Sequence, residues 1–93
     1  MALDTAPYDS ADYLRTPEDV AAYLEAAFED GDAALITHAL GVVARAEGMT
    51  EIARQAGLTR ASLYKALSAD GRPEFATVLK VVQALGLKMT VAA

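Results

Sequence analysis

Residues 49–67 read MTEIARQAGLTRASLYKAL, and their spacing decides the fold of the chain. Ile52, Ala53, Ala56, Leu58 and Leu63 are small or apolar and fall where two crossing helices must touch. A small residue at the crossing, here Ala53, lets the two backbones approach. Four residues later, Gly57 can take the left-handed backbone of a tight turn. Thr59 is suited to cap a second helix, and Leu63 to anchor it in a core. Arg60, Ala61, Ser62 and Lys65 then stand on its outward side. The pattern predicts a helix-turn-helix, which lays its second helix in the major groove of DNA.

Upstream, Thr16-Pro17-Glu18-Asp19 is a helix start: a capping hydroxyl, a proline at the first helical position, and two acids at the positive helix end. Val20, Tyr23, Leu24, Ala27 and Phe28 follow at helical spacing, and the helix should stop near Asp30-Gly31. Asp32 can cap a second helix to about Glu47, with Ile36, Leu40 and Val43 as its stripe and Leu35, Ala39 and Val42 widening it. Gly41 inside that helix costs about 1 kcal/mol relative to alanine, so a close neighbour is expected there. Gly48 ends the helix, and Thr50 is the expected cap of the next.

Downstream, 68–73 is a loop with turn residues. A fifth helix is predicted from Pro73 or Glu74 to Leu85, with Phe75, Val78, Leu79, Val82 and Leu85 on one face and Gly86 as its C-cap. Leu87 to Val91 alternates apolar and polar, the period of a short strand that could pair across a dimer axis. The fold class is therefore all-α, with five helices in one domain over 16–93, a partly mobile arm over 1–15 and a possible C-terminal strand.

The chain has 93 residues, no cysteine and a net charge of −5. That acidity argues against nucleic acid until it is divided. Residues 1–47 carry ten acids and two bases, net −8, whereas residues 48–93 carry three acids and six bases, net +3. The split suggests two partners of opposite sign, DNA for the second half and something basic for the first. The bland reading of the acidic half is a solvated helical surface. The start, MALDTAPYDS, has no basic region before an apolar run, and no apolar stretch approaches the roughly 20 residues of a membrane span. A cytoplasmic protein is expected.

A cation in the first turn of a helix is opposed by the macrodipole, and a phosphate or a guanine edge beside Arg60 would reverse that penalty. Arginine can grip guanine with two hydrogen bonds. Lys65 can reach a base or a phosphate, and Ala61 leaves room for a thymine methyl. Thr59, Ser62 and Tyr64 can donate to phosphate, and Arg54 and Arg72 flank the motif as further phosphate contacts. The lone His38 lies mid-helix without metal-ligating company. Glu18-Asp19 and Glu29-Asp30 are explained by helix ends. No cofactor, metal or catalytic constellation is expected, and no enzyme.

The run ARAEGMTEIARQAGLTRASLYKALS together with GRPEFATVLKVVQALGL resembles the HigA-type addiction-module antidote proteins, a branch of the Xre class with a Cro/lambda-repressor-like helix-turn-helix. The likeness extends upstream through YLRTPEDVAAYLEAAFEDGDAALITHAL. It implies a homodimer on a palindromic operator in its own promoter, repression of that promoter, and a small basic toxin of the RelE/ParE-like class. Tyr8, Asp9, Asp12, Tyr13 and Leu14 are candidates to touch that toxin. The sequence departs from the broader pattern three residues after Leu63, where Ala66 stands in place of an apolar anchor and Leu67 lies beside it. The rotation of the recognition helix is thus open by about one position. Two other readings use the same residues: a stand-alone phage-type repressor, and a helical interaction module that no longer binds DNA.

Overall fold

The computed structural model describes residues 14–93, which form five helices and no strand. Helix α1 spans Pro17–Asp30. Thr16 stands before it in extended backbone and its Oγ1 accepts the Asp19 N–H at 3.0 Å, while the Asp19 carboxylate accepts the Thr16 N–H at 3.1 Å. This reciprocal capping box satisfies donors that a helix start leaves free. Val20, Leu24 and Ala27 are its buried residues, and Gly31 closes it with φ +79°.

Helix α2 spans Ala33–Glu47, with Asp32 Oδ1 accepting the Ala34 N–H at 2.9 Å. Leu40, Val43 and Ala44 are wholly buried, but Leu35 is 40% exposed, so the expected wide stripe does not reach the first turn. Gly41 packs closely, as expected. A Cβ there would stand 3.2 Å from the Leu67 carbonyl oxygen, tight enough to press the two helices apart.

Helix α3 spans Met49–Ala56. Here the structure corrects the sequence reading, because Gly48 and not Thr50 occupies the cap position, and no side chain caps the helix. Met49 is buried in the core, and this draws the helix start back to it. Thr50 is therefore already helical and exposed. Gly57 ends α3 with φ +74°, a conformation that costs a residue bearing a Cβ about 1–2 kcal/mol.

Helix α4 spans Arg60–Ala66 and helix α5 spans Phe75–Ala84. Phe75, expected on the core face of α5, is 69% exposed, whereas Val81 is fully buried. The core contact of α5 lies in its C-terminal half, and Phe75, at its first residue, overshoots it. Gly86 forms the expected stop: its N–H donates to Gln83 O at 2.9 Å and the Leu87 N–H to Val82 O at 3.2 Å. The tail does not form the expected strand. No second strand among the described residues offers it a ladder, so it lies as coil with Leu87 and Met89 half-buried against the core.

Helix α3 is the hub. It packs on α2, α4 and α5, while α1 packs on α2. Ile52 and Ala53 of α3, Leu63 of α4 and Val81 of α5 share one core with α1 and α2.

Candidate nucleic-acid interface

Helix α4 owes its place to two leucines. Leu63 is wholly buried and Leu67 is 7% exposed, whereas Ala66 is only half-buried. The anchor pair is thus spaced by four residues, one helical turn, and this decides the rotation that the sequence left open. The face opposite Leu63 and Leu67 carries Ala61 and Lys65. Ser62 and Tyr64 stand on either flank, and all four are exposed.

The start of α4 is wired by hydroxyls. The Ser62 N–H donates to Thr59 Oγ1 at 3.0 Å, and the Thr59 hydroxyl donates to Ser62 Oγ at 2.8 Å. The single Thr59 proton is spent inside the cap. Ser62 is exposed, so its hydroxyl also meets solvent.

Arg60 is held in place by its neighbour one turn on. Its guanidinium lies 5.3 Å from the centre of the Tyr64 ring, and its Nη2 donates to the Tyr64 hydroxyl at 3.3 Å. A guanidinium has five N–H donors, so most stay available. Tyr64 Oη accepts from Arg60 and can donate its own proton outward.

Beside this pair lies a shallow depression of about 500 Å³, lined among others by Arg45, Gly48, Thr50, Glu51, Arg60 and Tyr64. The start of α3 opens into it without a side-chain cap. Free backbone N–H groups and the positive end of the helix dipole favour an anion there. Arg45, at the end of α2, is the residue that sequence reasoning missed. It stands in the last turn of α2, four residues before the motif begins, and the turn at Gly48 lets it line the same depression as Arg60.

Arg54 is placed otherwise. Its guanidinium is bound twice by the Glu51 carboxylate, once through Nε at 3.1 Å and once through a short Nη2 contact, and Gln55 Nε2 donates to the same carboxylate at 2.7 Å. The hydrogen bond from Arg54, then that from Gln55, holds the Glu51 carboxyl below its ordinary pKa, and the hydrogen bond to Glu51 raises that of Arg54. A phosphate reaching Arg54 must compete with Glu51. Arg72 is exposed in the loop between α4 and α5, clear of that depression.

Of the residues expected to touch a toxin, Tyr8, Asp9, Asp12 and Tyr13 lie outside the described residues. Leu14 is half-buried against the core. No helix among the described residues is long and apolar enough to cross a membrane.

A family model described as "Probable addiction module antidote protein" matches residues 4–93. The chain is also similar to an uncharacterized protein of Haemophilus influenzae, with 46% identity over 84 residues that cover 90% of this chain and 87% of the relative. No solved structure matches it.

Proposed function

The chain belongs to this addiction-module antidote family, and from that premise we propose that it is the antitoxin of a type II toxin–antitoxin module that also represses its own promoter. It has no catalytic step of its own. It acts in the cytoplasm by occupying two partners, a small basic toxin of the RelE/ParE-like class and a palindromic operator. As a homodimer it presents two α4 helices about 34 Å apart, one turn of DNA.

The observation that carries the DNA half is the composite surface of α4 and the start of α3. Arg60 enters the groove first, already oriented by Tyr64, and reads guanine. Lys65 and Ala61 face the bases or the adjoining backbone. Ser62, Tyr64 and Arg45 hold phosphates, along with the uncapped N–H groups at the start of α3. Arg72 lies farther out and Arg54 joins only by leaving Glu51. The Xre-type helix-turn-helix reading accounts for why the cations of this acidic chain gather here while its acids lie upstream.

The test is a gel shift on the DNA upstream of its own gene, with co-purification of the small protein encoded beside it. Retarded DNA, lost with Arg60→Ala plus Lys65→Ala, together with a stable protein complex, is the expected result. Absence of both would sink the proposal. DNA binding without any protein partner would turn it into a stand-alone repressor.

A further inference from the structure

A second groove, of about 550 Å³, runs between α1 and the C-terminal tail. Leu24, Phe28, Leu87, Met89 and Val91 line it. Phe28 is 38% exposed and Val91 entirely so, leaving aromatic and aliphatic surface uncovered. Glu25 and Glu29 stand on its α1 edge, one turn apart with Phe28 between them, against the single cation Lys88 on the tail. The charge of α1 has one sign throughout: Glu18, Asp19, Glu25, Glu29 and Asp30, with no base. Glu29 and Asp30 stand at the negative end of the helix dipole, where an acid is disfavoured and a foreign cation would relieve it.

We propose that this groove docks a basic, apolar segment of the toxin, with an apolar side chain seated on Phe28 and Met89 and Lys or Arg side chains meeting Glu25 and Glu29. The inference rests on the antitoxin reading and assigns a surface to it. Charge selects this occupant over two others. A second copy would bring another all-acidic α1 toward the same rim, and residues 1–13 carry three acids and no base. The groove shares no lining residue with the depression beside Arg60. Toxin and operator can therefore be held together.

The test uses the full chain and, as probe, the small protein encoded beside its gene. Benzoylphenylalanine in place of Phe28 should crosslink to that protein. Glu25→Lys with Glu29→Lys should weaken its binding by about tenfold or more, with Glu25→Gln plus Glu29→Gln intermediate. All four changes are at exposed positions, so melting and operator binding should hold. A crosslink to a second copy or to residues 1–13 overturns the inference, as does charge reversal without loss of affinity. Those results leave the antitoxin reading standing. Failure of the unmodified chain to bind the probe overturns both.

Discussion

At the scale of single residues, Arg60 and Glu51 should act on the proposed operator contact in opposite directions. Arg60→Ala should cost about 1–3 kcal/mol in operator binding and relax selectivity at one base pair, as measured by titrating operators substituted at each position. Arg60→Lys should recover little, since an ammonium supplies a charge but not the planar fork that lies over Tyr64. Lys65→Ala should lower affinity and reduce the salt slope by about 1 if it meets phosphate. Glu51→Gln has the reverse effect. It removes the carboxylate that holds Arg54, so operator affinity should rise and its salt dependence steepen. The same pair has a pH signature. Because the folded pKa of Glu51 is lowered, its stabilisation is present above the ordinary carboxylate pKa and is lost as pH falls through the lowered one. Denaturant midpoints of the native chain and Glu51→Gln should converge on that acid side.

At the scale of elements, α4 has seven residues and is too short to stand alone. Its helicity depends on its cap and on Leu63. Leu63→Ala should destabilise the chain by about 2–5 kcal/mol, read from thermal melting, and should abolish operator binding at temperatures where α1 and α2 are still folded. The loop after α4 is equally constrained. A Cβ at Gly71 would overlap the Ala66 carbonyl, which is backbone and cannot rotate away. Gly71→Ala should lower the melting temperature and displace the end of α4, whereas Ala69→Gly, at an exposed position in the same loop, should not.

At the scale of the whole molecule, opposite ends of the chain carry opposite charge. Operator binding should weaken steeply with salt despite the net charge of −5, since the proposed phosphate contacts are Arg45 and the cations of the second half. The surfaces proposed for toxin and DNA lie on different elements, with the groove between α1 and the tail and the cationic depression on α2, α3 and α4. Charge reversal at Glu25 and Glu29 should thus leave the operator salt slope unchanged.

The helices were legible because their ends carry local chemistry. Thr16, Asp32, Thr59, Gly31, Gly57 and Gly86 act within a few residues of themselves, and each appears where its type predicts. Errors arose where distant packing overrode local preference. Thr50 is a good capping residue, but burial of Met49 moved the helix start past it. Phe75 is apolar, but the core ends before it reaches it. The tail has the strand period, but a strand needs a partner that none of the described residues supplies. The sequence by itself determined the five helices, the turn at Gly57 and the separation of charge, all set by neighbours along the chain. Tertiary structure alone decided the rotation of α4 on Leu63 and Leu67, the depression that Arg45 and Arg60 line together, and the groove beside Phe28, because each depends on elements that meet only when the core closes.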